Sequence, residues 1–413
     1  MKPLLPADDV ARYADVAVKV GLSLRKGDDL ILLCQPAHRE FAVAIVEAAY
    51  RAGAHAVDVI INDPFVRAAR LRSAPMESLG ELTPWQAARF RSGVKETTAS
   101  LLIAGESEPG ALSDIDPARI AAEQSGSLRN LPQVRRAMRQ GRRRWGIVAW
   151  PVPAWAERVY PKLSSEAAQR KLARDLLWFC RIGPDDPPGV DGLRRHLDAL
   201  HGRGRAITRL KLQRLELRGP GTELSVALHP DTVWAGGGGK NGFGIMQAPN
   251  LPTEENFTSP EAASTEGTFR CSRPLMFQGT LIEGISGEFR GGRLVKLEAK
   301  READRDFLAG FLHSIAGADR LGEVALVDSS SRIGQAKRTY YNTLLDENAA
   351  AHIAFGSGFA FTRRKNEGER GRRGVNRARA HLDVMIGTDD LEATGIAARG
   401  RRVPLIRDGT WQV

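Results

Sequence analysis

Apolar residues in the first half of the chain fall in short continuous runs separated by amphipathic stretches. The run LILLC, Leu30 to Cys34, and the run AVDVII that follows Gly53 read as buried strands. Between them, His38 to Arg51 carries apolar positions at helical spacing and stops at Gly53. Before them, Asp8 and Asp9 stand where they can cap a helix over Val10 to Val20 that ends near Gly21. This alternation predicts a parallel α/β unit with a right-handed crossover. Further strands are expected at Ser100 to Ala104 and Trp145 to Val152, with an amphipathic helix over Ser164 to Cys180 closing the domain.

The pattern changes after the polar stretch Gly202 to Arg205, which reads as a linker. LKLQRLELRG and TELSVALH alternate with a period of two, as paired strands do, and ISGEFRGGRLVKLEAK reads as a hairpin turning at Gly291 and Gly292. Helices are expected at Ala303 to Ala316 and Tyr340 to Ala351. The fold class is therefore an α/β N-terminal domain with a mainly parallel sheet, residues 1–204, followed by an α+β C-terminal domain, residues 205–413.

Neither early strand is followed by GxGxxG, which argues against a dinucleotide site, and the glycine-rich stretch Ala235 to Gly244 lacks the Walker pattern. It precedes PNLPTEE and reads as a tight turn, with Lys240 either a ligand contact or, more simply, an exposed loop lysine. The chain has 413 residues, 42% of them hydrophobic, enough to bury a large core in two domains. No run approaches the roughly 18 apolar residues of a membrane helix, and MKPLLPADDV lacks the layout of a signal peptide. Three cysteines, Cys34, Cys180 and Cys271, lie far apart and match a reducing compartment, so a cytoplasmic location is expected. The net charge of +11 is spread along an Arg-rich chain without interleaved aromatics, and no nucleic-acid or membrane partner is expected.

Five candidate metal ligands cluster in the last 160 residues: Glu255, Glu323, His352, His381 and Asp383. Two imidazoles and three carboxylates suit zinc, cobalt or manganese better than thiolate-loving metals. In Ala380 to Gly387, His381 and Asp383 are two apart on a strand, so both side chains leave the same face. A lone pair of this kind can equally be a structural ion pair, and His352, which enters the apolar run IAF, can be a satisfied core residue.

The wording around these residues carries more. NLPTEENFTSP, GTLIEG, LGEVALVD, NTLLDENAAAHIAFG and HLDVMIGTDDL, together with YADVAVKVGLSLRKGDDL and VPLIRDGTWQV, resemble the thermophilic aminopeptidase family, metallopeptidases of the aminopeptidase T and aminopeptidase S type. The resemblance covers the whole chain. It implies that Glu255, Glu323, His352, His381 and Asp383 hold two divalent metal ions with a bridging water as nucleophile, in a homodimer with enclosed sites that accepts short peptides. Glu254, beside Glu255, has the reach and charge to act as general base, although neighbours on a strand point apart.

Two departures stand out. The tyrosine that the family places seven positions after its first metal-binding histidine, where it helps stabilise the oxyanion, is Phe359 here. Losing one such donor costs about 100- to 1000-fold in rate; Tyr340 or Tyr341 can substitute only if the fold brings them close. From Thr362 to Ala380 the chain carries eight basic residues against two acidic ones. Such a run reads as a solvated loop, or as a place where arginines such as Arg372 and Arg373 grip an anionic group of a substrate. Two functions follow: an aminopeptidase releasing N-terminal residues, or a repurposed relative acting on a non-peptide small molecule, as an amidase or as a ring-cleaving dioxygenase with iron on a His, His, Asp triad.

Overall fold

Four parallel strands, in the order Ala56–Ile61, Asp29–Cys34, Thr98–Ala104 and Arg144–Ala149, form the N-terminal sheet of the computed structural model. The structure describes residues 3–108, 110–112, 114–126, 131–364 and 374–413. Residues 1–195 and 238–252 form one compact unit, and residues 196–237 and 253–413 form the other. The division falls inside the helix Asp191–Arg209, so Gly202 to Arg205 is helical rather than a linker. Among the described residues no helix is long and apolar enough to cross a membrane.

In the first unit, helices Ala7–Val16 and Arg39–Arg51 bury Tyr13 and Phe41, which stack at 4.6 Å, and Phe41 stacks on Trp150 at 4.7 Å. Asp8 and Asp9 lie within the first helical turn and make no cap hydrogen bond; Pro6 starts the helix. AVDVII forms a strand but lies at the sheet edge, with Val59 and Ile61 exposed. An apolar run marks a strand without saying whether it is central. Arg144 is fully buried: its guanidinium donates to Asp28 at 2.6 Å and to the carbonyls of Leu22, Ser23 and Glu96.

The second unit is antiparallel. Eight strands, from Arg293–Glu298 at one edge to Thr410–Trp411 at the other, face a five-stranded sheet ordered His381–Met385, His352–Gly356, Leu321–Leu326, Asn256–Thr258 and Ala235–Gly236. Phe355 of the smaller sheet packs on Phe269 and Phe289 of the larger, at 5.9 and 5.7 Å, within one apolar core. The hairpin turns at Gly291 and Gly292 as expected, both with positive φ. The glycine-rich stretch divides: Ala235–Gly236 pairs beside Glu255, and Gly239–Lys240 forms a small hairpin with Met246–Gln247 in the first unit, with Lys240 exposed.

Tyr340 to Ala351 is not one helix. Only Thr343–Asp346 and a tight turn, Glu347–Ala349, are helical, because the Asp346 carboxylate accepts the backbone N–H groups of Tyr340 and Asn342 while Tyr341 adopts φ 54°. A side chain that captures backbone donors competes with the helix. His352 consequently starts a strand instead of ending a helix.

The Arg144–Asp28 pair yields a stability test. Asp28→Ala leaves a buried guanidinium without its counter-charge, and denaturant unfolding is expected to show a loss of about 3 to 5 kcal/mol. A loss below about 1 kcal/mol would mean that the three carbonyls suffice.

Candidate metal centre

Strand register gathers the candidate ligands on one face. In the small sheet Glu323 lies opposite Ala354, and Ala354 opposite Asp383; His352 and His381 are two residues away along their strands and so point the same way. Phe257 lies opposite Ala325, which places Phe257 and Glu255 on this face too. The alternate positions Val324, Ile353, Phe355, Leu382 and Val384 enter the apolar core. Ala354 and Gly356 keep the middle of the face empty of bulk, and a side chain at Gly356 would meet the Ala380 carbonyl at 2.1 Å in a backbone of φ 93°.

Among the described residues two groups of possible ligands result: Glu255, Glu323 and His352, and Glu323, His381 and Asp383. Within each group the ligand atoms lie within 4.8 Å of one another, and Glu323 belongs to both. His352 Nε2 is 3.1 Å from Glu255 Oε2, while His381 Nε2 is 3.2 Å from both Glu323 Oε2 and Asp383 Oδ1. Such spacings match neighbouring donors on a cation with bonds of about 2.0 to 2.2 Å. Glu255 Oε2 is buried and makes no hydrogen bond of good geometry despite that close imidazole. An orphaned carboxylate oxygen aimed at a shared point is what a divalent cation would satisfy, so the residues fit one.

The outer contacts suit this role. His381 Nδ1 donates to the Ser357 carbonyl at 2.8 Å, which leaves Nε2 facing the carboxylates. Burial alone pushes the His352 imidazole down, but Glu255, Asp383 and Glu323 outweigh it and carry it up to about 10. His381 is likewise carried well above its ordinary value, with Asp383 and Glu323 overcoming burial. Burial, with help from Glu255 and Asp383 against His381, pushes Glu323 up to about 7. Asp383 ends below the usual range because His381 and His352 overcome burial.

Glu347 was not singled out by the sequence. It is buried, and burial with the nearby charges of Asp383 and Glu255 raises its carboxyl well above the ordinary range. An acid five residues before His352, between apolar stretches, was the available signal; reading the segment as a helix hid it. Glu254 does not lie on a strand. Its backbone N–H donates to Asn348 Oδ1 at 2.7 Å and its carboxylate lies 3.4 Å from Nε2 of His196, a residue also missed. Phe359 sits beside the site, its ring 5.3 Å from that of His381. Arg372 and Arg373 lie outside the described residues. Of the basic run, Arg363 is buried and donates to the Ser259 carbonyl at 2.9 Å, and Arg377 is exposed.

A model of the thermophilic metalloprotease (M29) family matches residues 7–411. Aminopeptidase T of Thermus thermophilus is 35% identical over 408 residues, 98% of each chain. Aminopeptidase 2 of Geobacillus stearothermophilus is 34% identical over 408 residues, 98% of this chain and 97% of that one. The solved structure of wild-type AmpT from Thermus thermophilus aligns with a TM-score of 0.86 at 34% identity, covering 98% of this chain and 99% of that chain.

These charges set a pH dependence for the metal-free protein. Glu323 rises from 4.5 to about 7 and His352 from 6.5 to about 10, so the folded state binds both protons more tightly than the unfolded chain. Stability from these groups is present below the unfolded values and is lost as pH rises through the folded ones. Asp383 acts oppositely, but only as pH falls below its ordinary 3.8. Chelator-treated protein is therefore expected to melt at lower temperature at about pH 9 than at about pH 6, and an added divalent cation, taking the place of the protons, should restore the midpoint. A midpoint that rises with pH and ignores the cation would refute this.

Proposed function

The chain belongs to the thermophilic metalloprotease (M29) family, and from that premise we propose that it is a metal-dependent aminopeptidase whose second unit holds two divalent cations. The observation that supports the pair is Glu323, shared between two ligand triads. Glu255, Glu323 and His352 would hold one ion, and Glu323, His381 and Asp383 the other, with zinc, cobalt and manganese all suited to the N/O donors. Two ions so placed would polarise the scissile carbonyl and supply a nucleophilic water near neutral pH.

The remaining work falls to the protein. Ser357 fixes the His381 ring by accepting from Nδ1. Asn348 fixes Glu254 by accepting its backbone N–H, and His196 borders the Glu254 carboxylate. In this reading Glu254 accepts a proton from the attacking water and returns it to the leaving amine. Phe359 offers no hydroxyl to the oxyanion, so turnover is slower than a tyrosine at that position would allow. The reading includes short peptides as substrates, a homodimeric assembly and a cytoplasmic location. The free Cys34, Cys180 and Cys271 agree with the last.

Elemental analysis and hydrolysis of aminoacyl anilides and short peptides test the proposal. About two metal ions per chain and release of N-terminal residues are expected; one iron per chain with no hydrolysis would favour the ring-cleaving alternative instead. Phe359→Tyr should raise kcat by about 10-fold or more without changing metal content. Glu254→Gln should lower kcat by about 100-fold or more at unchanged metal content, and an unchanged rate would remove Glu254 from the mechanism.

A further inference from the structure

The ligand cluster is closed on one side and open on the other. The side chains of His352, Glu323 and Glu255 are only 2%, 5% and 10% exposed, whereas that of His381 is 29% exposed. A molecule therefore reaches the ligands past His381. On that side three phenylalanines stand together. The Phe359 ring lies 5.3 Å from His381, 5.5 Å from Phe257 and 5.3 Å from Phe361, and Phe257 meets Phe361 edge-on at 6.1 Å. Phe257 and Phe359 are half-buried, and Phe361 is 53% exposed.

Their backbone is tied down. Phe359 N–H donates to Ser259 Oγ at 2.8 Å, the Thr362 hydroxyl returns to the Phe359 carbonyl at 2.7 Å, and Val233 N–H donates to the Thr362 carbonyl at 2.9 Å. Arg363 locks the same turn to the Ser259 carbonyl. A fixed turn that holds a large ring in water is costly unless something apolar covers it, and a rigid apolar wall binds such a partner with little loss of freedom.

We infer that Phe257, Phe359 and Phe361 form the wall of a subsite for the side chain of a substrate's N-terminal residue, which is selected to be aromatic or large aliphatic. The inference rests on the aminopeptidase reading. In an amino-terminal residue the side chain leaves the carbon next to the scissile carbonyl, so a carbonyl held at the ligand cluster places that side chain against the neighbouring wall. Edge-to-face contact favours an aromatic ring there, and leucine gains by burial. Aspartate or glutamate loses hydration against the rings. The absence of a tyrosine hydroxyl at position 359 makes this wall wholly apolar.

The test uses the full-length protein reconstituted with zinc, with L-aminoacyl 4-nitroanilides of phenylalanine, leucine, glycine and aspartate. For the wild type, kcat/KM should favour phenylalanine and leucine over glycine by at least about 10-fold, and over aspartate by more. Phe361→Ala, at an exposed position that does not threaten folding, should cut the phenylalanine-to-glycine ratio by at least about 5-fold, on the scale of lost apolar contacts. Phe361→Asp, which puts a carboxylate into the wall, should lower the leucine-to-glycine ratio. In parallel, calorimetry measures binding of the free amino acids. L-phenylalanine should bind the wild type more tightly than glycine, and the difference should shrink in Phe361→Ala. Hydrolysis that shows the same selectivity in wild type and both variants would overturn the subsite and leave the peptidase reading standing. Absence of all hydrolysis would instead defeat the peptidase reading, and the calorimetric preference then decides the subsite: equal binding of L-phenylalanine and glycine overturns it.

Discussion

Carboxylates packed together in a largely buried site repel one another, and the second unit gathers groups that neutralise them. Glu255, Glu323, Glu347 and Asp383 share one region with the imidazoles of His352 and His381. A like-charged pair about 4 Å apart costs roughly 4 kcal/mol at the effective dielectric of a protein site. Several such pairs would consume most of the 5 to 15 kcal/mol by which a domain is typically stable. Protons or cations in the cluster relieve that repulsion, and the upward shifts of Glu323, Glu347 and both histidines agree with this.

The scaffold gathers these groups by register. Three adjacent strands with a period of two put Glu323, His352, His381 and Asp383 on one face, and the other face is held by Phe355 and its aromatic neighbours from the larger sheet. A one-residue slip in any of these strands would send charge into the core and apolar residues into the site. Gly356 and Ala354 make the space in which donors converge, and they do so by being small. The chain leaving that strand then turns at Phe359 to Phe361, so the residues that hold charge and those that offer apolar surface are linked by a few covalent bonds.

The strand character of HLDVMIG and the common orientation of His381 and Asp383 were legible because alternation on a strand is a local property. The candidate ligand set as a whole was not readable from spacing; it came from the resemblance of several segments to one family, and the structure brings all five residues together. What local pattern could not supply was context. AVDVII has the composition of a central strand, yet it pairs on one side only. Gly202 to Arg205 looks polar and flexible, but it continues an amphipathic helix. Glu347 was hidden because Asp346 captures two backbone donors and breaks the helix that the sequence suggests, leaving Glu347 buried in a tight turn.

In the proposed reading one carboxylate, Glu323, would join two cation sites. Crystals grown with zinc and measured on both sides of its absorption edge test it directly. Two anomalous peaks about 3.5 to 4 Å apart, both within bonding distance of Glu323, are expected. A single peak held by His352, His381 and Asp383, with Glu255 and Glu323 unengaged, would contradict it.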